Sequence, residues 1–237
     1  MKKIVMGSIC LAGVAQMPGF DCDGSADISF GDTVPGQELQ WIKLKNGLLI
    51  ADRCVCTNIS WEQLDKKGFV LGTPITIEGE AYWCRCLQVG SEEGEINEWD
   101  SALDGTGEDN NLWHWEGAYF WGQEISKRSA SNRAVRGCSS ARYWSYDGAT
   151  DRYVDVGFRP ALEYLGSEPC SPDTLLDKMV KAYCSGGVII EGRLVDFSDY
   201  DITFEHNYPT FANYPWATKE GRNIIISREN IIGLKEG

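Results

Sequence analysis

The sequence predicts an α+β protein in which the β-sheet dominates, and three observations support this. Short runs of β-branched and aromatic residues separated by turn residues fill the first ninety positions, two segments carry helix start and stop signals, and a Gly/Ser/Pro stretch interrupts the chain at residues 166–171. We therefore expect a large domain at residues 1–165. A small domain, made of a helix and a β-barrel, is expected at residues 166–237.

The N-terminal residues 1–19 allow two interpretations. Two lysines followed by an apolar run are typical of a secretory signal, but Gly7, Gly13 and Gln16 interrupt the run, which favours a first β-strand. No later run approaches the roughly 20 apolar residues that a membrane span needs, so none is expected. A cytoplasmic or virion location is favoured over secretion.

The first part of the chain alternates between strand-like and turn-like segments. Strands are predicted at residues 39–44, 47–57 and 74–87. One short helix is predicted at residues 59–67, because Ser60 can cap it, Gln63 occupies the capping-box position and Gly68 can stop it.

The charge and cysteine content exclude some functions. A formal charge of −13 disfavours nucleic acid and anionic membranes, because phosphate binding draws on clustered Lys and Arg. Cys54 with Cys56, and Cys84 with Cys86, are pairs that could suggest zinc, but structural zinc sites usually separate their cysteines by two to four residues. Buried free thiols are the favoured interpretation of both pairs.

An acidic segment at residues 92–109 contains eight carboxylates and no Lys or Arg. Calcium is the functional interpretation, because Ca²⁺ takes six to eight oxygen ligands from flexible loops, and a solvated charged loop is the alternative. No EF-hand spacing is present, and no other cofactor is expected. The calcium candidates are Glu98, Asp100, Asp104 and Asp109.

Three landmarks then occur in order: Asn111-x-Trp113-x-Trp115, Arg133-Ala-Val-Arg136-Gly137-x-Ser139, and Gly157-Phe158-Arg159. Together they resemble the formylglycine-generating-enzyme-like, or sulfatase-modifying-factor, branch of the C-type lectin fold. The resemblance covers roughly residues 28–165 and is close from 97 to 162. It implies a C-type lectin-like first domain, in which the landmark residues Asn111, Trp113, Arg136, Gly137, Gly157, Phe158 and Arg159 are structural.

The enzymes of this family use groups that the sequence lacks. The resemblance implies two cysteines shortly after the Arg-Gly turn, where this chain has Ser140-Ala141-Arg142, while related iron enzymes need a histidine-rich site and the chain has only His114 and His206. We therefore expect no enzyme activity. A formylglycine-generating-type oxidoreductase is the last alternative.

The segment between the second and third landmarks, residues 139–155, is predicted to bind a ligand. In the variable proteins of diversity-generating retroelements, which the chain also resembles and which are often phage-borne, this segment is the ligand-binding surface. Its aromatic and short polar residues suit an adaptable surface. The predicted binding residues are Arg142, Tyr143, Trp144, Tyr146, Asp147, Arg152 and Tyr153, with Trp115 beside them.

The C-terminal segment is predicted to begin with a helix at residues 171–184, capped by Ser171 and started by Pro172. Strands are predicted at residues 188–197, 201–205 and 223–227, the last leading into 231–232. The pattern faintly resembles the Sm-like small barrel, which implies oligomeric rings or RNA binding. RNA is disfavoured, because acidic residues outnumber basic ones here.

The sequence as a whole favours a non-enzymatic protein, of phage or prophage origin, that binds an unidentified protein or glycan through residues 139–155. The alternative is a structural or assembly protein that oligomerises through its C-terminal domain. Nucleic acid is not expected as a partner of either.

Overall fold

The computed structural model describes residues 2–25, 27–166, 171–206 and 214–237. The chain divides into two compact units, Met1–Tyr164 and Leu165–Gly237, and this division falls one residue from the predicted domain boundary. The expected linker at 166–171 lies mostly outside the described residues.

The prediction of an α+β fold is wrong, because the protein is mostly β-sheet. Among the described residues, strands account for 47% and helices, with the 3-10 turns included, for 13%. In the described residues three short helices occur, α1 (Trp61–Lys66), α2 (Glu98–Thr106) and α3 (Asn110–Trp113), all in the first unit. None combines the length and apolar character that crossing a bilayer requires.

The first unit contains three sheets among its described residues. The first sheet, in spatial order, comprises β1 (Lys2–Val5), β6 (Gln40–Lys43), β7 (Leu49–Ala51), β15 (Pro160–Gly166), β10 (Glu80–Cys86) and β9 (Thr73–Ile77). The second comprises β13 (Trp144–Gly148), β12 (Asn132–Gly137), β11 (Tyr119–Ile125), β14 (Val156–Phe158), β8 (Cys56–Thr57) and β4 (Phe20–Asp21). The third comprises β3 (Val14–Gln16), β2 (Ser8–Leu11) and β5 (Ile28–Gly31).

Local sequence signals explain several of these elements. Ser60 caps α1 and Gln63 completes the capping box, as predicted, with Ser60 Oγ accepting from the Gln63 amide at 3.2 Å. Glu78 and Gly79 both have positive φ and form the two-residue turn between β9 and β10. The predicted strand at 47–57 is interrupted. Residues 52–55 lie outside any strand and connect β7 of the first sheet to β8 of the second.

The second unit is a six-stranded antiparallel sheet in the described residues. In spatial order it comprises β19 (Ala217–Glu220), β20 (Asn223–Ser227), β18 (Asp201–Glu205), β17 (Val188–Phe197), β16 (Met179–Cys184) and β21 (Ile231–Glu236). Short 3-10 turns occur at Pro172–Leu175, Ser185–Gly187 and Arg228–Asn230.

The helix predicted at residues 171–184 does not form. Pro172 starts only a 3-10 turn, which ends at Leu175, and the chain then enters β16. Asp177 has a φ of 64°, which is incompatible with a helix. Val180 and Ala182, two residues apart, both face the core, as alternate residues of a strand do. The apolar residues of this segment lie instead in a strand that pairs with β17 and β21.

Each of the two large sheets of the first unit contributes to two apolar clusters, because alternate side chains of a strand point to opposite faces of the sheet. In the second sheet, Trp121 and Val135 enter the cluster that also contains Cys56, Cys84 and Cys86. Their neighbours along the strands enter the other cluster, together with residues of α2 and α3. All four paired-motif cysteines, Cys54 included, are free and buried.

Replacing Gly157 by alanine should destabilise the protein by at least about 2 kcal/mol, because a Cβ there would lie 2.2 Å from the carbonyl oxygen of Cys56 in the neighbouring strand. Gly105→Ala is the control, since that position in α2 is open and alanine should stabilise the helix by up to about 1 kcal/mol. Urea unfolding measures both changes. Equal midpoints for the two variants would contradict the close approach of β14 to β8.

Candidate functional site

The acidic segment at 92–109 contains helix α2 and ends at the N-cap residue of α3, so it is not one loop. The side chain of Asn97 accepts from the Asp100 amide at 2.8 Å and caps α2, while Gly107, with a φ of 83°, ends it. Asp109, a calcium candidate, accepts from the Asn111 amide at 2.9 Å and caps α3. Short polar side chains therefore define both helix starts.

The most buried of the remaining carboxylates on α2 pair with arginines from the strands. Glu98 bonds to Arg85 of β10, with Oε1 2.7 Å from Nη2 and Oε2 2.8 Å from Nη1. Asp100 bonds to Arg136 of β12, whose side chain is only 2% exposed. Burial lowers the pKa of Arg136, and the Asp100 carboxylate opposes that change.

Arg142, a predicted binding residue, is also engaged by α2 and the turn after it. Its Nη2 lies 2.7 Å from Asp104 Oδ1, its Nε lies 2.6 Å from Glu108 Oε1, and its Nη1 lies 3.6 Å from Asp100 Oδ1. Sequence reasoning missed these pairs because each joins residues at least 34 positions apart. Within the described residues, no group of three or more His, Cys, Asp or Glu is arranged to hold a metal ion.

Arg159, the charged residue of the third landmark, is buried inside the first unit. The Arg159 guanidinium lies 5.1 Å from the Trp99 ring centre and 4.9 Å from that of Phe120, and Nη2 donates to the carbonyl oxygen of His114 at 3.2 Å. The residue is fully buried, and this burial lowers its pKa. Trp113, of the first landmark, packs edge-on against Trp99 at 5.0 Å, while Asn111 is exposed.

The glycine landmarks are explained by backbone geometry. Gly137 has a φ of 101°, and a Cβ there would lie 2.7 Å from the Ala118 carbonyl oxygen. Gly157 lies directly against β8, and Phe158 beside it is fully buried. Both ends of the 139–155 segment are thus held by close packing.

His114 lies in a cluster of polar side chains. Its Nδ1 is 3.3 Å from Asp52 Oδ2, and Arg53 Nη2 is 3.1 Å from its Nε2. Burial, followed by the Arg53 charge, lowers the pKa of the imidazole.

The predicted binding segment is built around β13, and this divides its side chains between two faces. Trp144 is buried and donates Nε1–H to the Gly90 carbonyl oxygen at 3.0 Å. Tyr146, two residues later, packs 6.0 Å from the Trp144 ring and lies under the Arg128 guanidinium. Trp115 is partly buried and donates to the Glu108 carbonyl oxygen at 2.8 Å. Trp144, a predicted binding residue, therefore lies in the core.

The opposite face of β13 carries accessible side chains. Tyr143 is 44% exposed and lies 6.1 Å from the Tyr119 ring, while Ser145 and Asp147 follow on the same side because strand side chains alternate. Sequence reasoning missed Tyr119, which lies on β11. We call this surface the tyrosine–aspartate face; its residues are Tyr119, Tyr143, Ser145, Asp147, Asp151, Tyr153 and Asp155.

Backbone hydrogen bonds position the end of the segment beside this face. The Glu62 amide donates to the Ala149 carbonyl oxygen at 3.0 Å, and the Asn58 amide donates to that of Tyr153 at 3.1 Å. Tyr153 is 48% exposed and its neighbour Val154 is 71% exposed. These exposed side chains therefore stand on a fixed backbone.

Arg152 lies against a different part of the first unit. A Cβ added to Gly24 would lie 1.5 Å from Arg152 Nη1, so the guanidinium passes directly over that glycine. Neither Arg142 nor Arg152 thus forms an ion pair with the aspartates of the face in the described part of the chain.

The tyrosine–aspartate face carries three carboxylates, and Arg133 of β12 lies opposite one of them, Asp147, in the strand register. Burial, then Asp151 and Asp155, raises the pKa of Asp147 above its usual value. The Asp151 charge likewise raises the pKa of Tyr153. Among the described residues, no Lys or Arg forms an ion pair with Asp147, Asp151 or Asp155.

No family model matches the chain, and no curated protein and no solved structure matches it either.

Asp100→Asn should cost about 3–5 kcal/mol of unfolding free energy, because it leaves the buried Arg136 guanidinium without its carboxylate. Asp104→Asn is the matched control: that carboxylate is 71% exposed, and its loss should cost less than about 1 kcal/mol. Denaturant unfolding measures both. Similar losses in the two variants would contradict the special role of the buried pair.

Proposed function

We propose that the protein is a non-enzymatic ligand-binding protein that uses the tyrosine–aspartate face. The observation that carries the proposal is the pair Tyr143 and Tyr153, both nearly half exposed on a backbone held by hydrogen bonds and close packing. Exposed tyrosines supply contact area at little cost in conformational entropy. A rigid backbone lowers the entropy lost on binding further.

The proposed surface retains part of the set predicted from the sequence. Tyr143, Asp147 and Tyr153 stay, whereas Trp144 belongs to the core and Arg142 to the contacts of α2. The ordered landmarks, which resemble those of retroelement variable proteins, support the same use of this segment. A phage or prophage origin follows from that resemblance and is part of the proposal.

Replacing Tyr143 and Tyr153 together by alanine should weaken ligand binding by at least about tenfold, since exposed aromatics at the centre of a surface are typical hot spots. Binding is measured by probing peptide and glycan arrays with the labelled protein and determining Kd for each positive probe. Tyr200→Ala, which removes an exposed tyrosine of the second unit, is the control. The proposal fails if the double variant binds every positive probe as tightly as the wild type, or if the wild type binds no probe.

Assembly through the second unit is a second proposal. Its sheet ends in β19 on one side and β21 on the other, and a strand edge can pair with another chain. Light scattering should then give a mass above that of one 26.4 kDa chain, and Lys219→Pro in β19, which removes an N–H directed away from β20, should restore the monomer. A monomeric wild type over the accessible concentration range would contradict it.

A further inference from the structure

The strand at the centre of the tyrosine–aspartate face is also the edge of its sheet. β13 pairs with β12 on one side, and the spatial order of the sheet places no strand on the other. An edge strand presents backbone N–H and C=O groups that a further strand can bind.

The register shows which groups are presented. The Gly137 amide donates to the Tyr143 carbonyl oxygen at 3.1 Å, so this is a hydrogen-bonded pair, and such pairs alternate along an antiparallel ladder. The backbone groups of Ser145 and Asp147 therefore point towards β12, and those of Trp144 and Tyr146 point outwards. No backbone hydrogen bond joins these outward groups to any other residue that the structure describes.

The side chains along this edge have opposite characters at its two ends. Tyr143, packed beside Tyr119, offers an aromatic surface at one end, and Asp147, with Asp151 and Asp155, offers negative charge at the other. Four residues of strand separate the two ends by about 13 Å. An extended chain on this edge would place its alternate side chains over the same face.

We propose that the ligand is an extended peptide segment that adds as a strand to the free edge of β13. It bonds to the backbone of Trp144 and Tyr146, and it places an apolar side chain on Tyr143 and a Lys or Arg on the aspartates. This inference rests on the proposed function and names the ligand class of the same face. The positive charge of the ligand complements the three carboxylates, none of which forms an ion pair with Lys or Arg in the described part of the chain.

The effect of pH has a definite sign. Asp147 must be ionised to attract the cation, and its pKa is raised by burial and by its acidic neighbours. Affinity for a basic peptide should therefore fall as the pH is lowered through that raised pKa, at a higher pH than an ordinary aspartate would give. Added salt should also weaken binding, because the carboxylates are only partly buried.

The test titrates the ¹⁵N-labelled protein with capped five-residue peptides and measures the chemical shifts of its backbone amides by NMR. Lys-Thr-Val-Thr-Leu suits antiparallel pairing and Leu-Thr-Val-Thr-Lys suits parallel pairing, because the alternate residues face the tyrosines and aspartates. One of them should shift the amides of Trp144 and Tyr146. The same peptide with Glu in place of Lys should bind at least about fivefold more weakly.

Two matched controls separate the contacts. In the antiparallel peptide, N-methylation of both threonines keeps the charge and the side chains but removes the N–H groups that face β13. In the parallel peptide, where the third and fifth residues direct their N–H groups to β13, N-methylation of the valine and the lysine does the same. In either case the affinity should fall at least about tenfold. Asp147→Asn should weaken binding of the basic peptide about fivefold, whereas Glu220→Gln, which changes the net charge equally in the second unit, should leave it unchanged.

The inference is overturned if neither basic peptide shifts the β13 amides at millimolar concentration, or if the N-methylated peptide binds as tightly as its parent. A glycan that needs Tyr143 and Tyr153, found while the basic peptides fail, would also overturn it and leave the proposed function standing. Conversely, a basic peptide that pairs with β13 with equal affinity in the Tyr143→Ala/Tyr153→Ala variant would contradict the proposed function and support the strand edge.

Discussion

The buried pair of Asp100 and Arg136 connects helix α2 to the strands beneath it, and much of the first unit depends on it. Arg136 can be buried in β12 only because a carboxylate meets it there, and Asp100 is placed by the Asn97 cap. Trp99, the neighbouring residue of α2, packs against Arg159. Helix α2 therefore contacts both Arg136 of the second landmark and Arg159 of the third.

This arrangement also determines which residues face a ligand. Once Arg142 reaches across to α2, the chain that follows enters β13 with Trp144 directed into the core. Tyr143 and Asp147 are thereby left on the other side. The surface that we propose for binding is thus what remains accessible after the arginines and tryptophans of the segment have been used for packing.

Accessible aromatics beside carboxylates that form no ion pair are poorly explained as contributions to stability. The raised pKa of Asp147 means that the folded protein holds a proton more tightly than the unfolded chain, so the ionised carboxylate opposes folding near neutral pH. Below the unfolded pKa this cost disappears. A group that costs stability where it is charged is easier to explain as part of a binding surface, as the free edge of β13 also suggests.

The sequence by itself determined some local features: the Ser60 capping box and the strands predicted at residues 39–44, 188–197, 201–205 and 223–227 follow from caps and alternation. Tertiary structure decided what depends on distant partners. The apolar residues of 171–184 satisfy a strand or a helix equally until β17 and β21 flank them. The arginines that pair with the acidic segment are remote in sequence, so these ion pairs could not be predicted from it. Composition could nominate residues 139–155, but only the register of β13 decides which side chains face outwards, because a strand sends alternate residues to opposite faces.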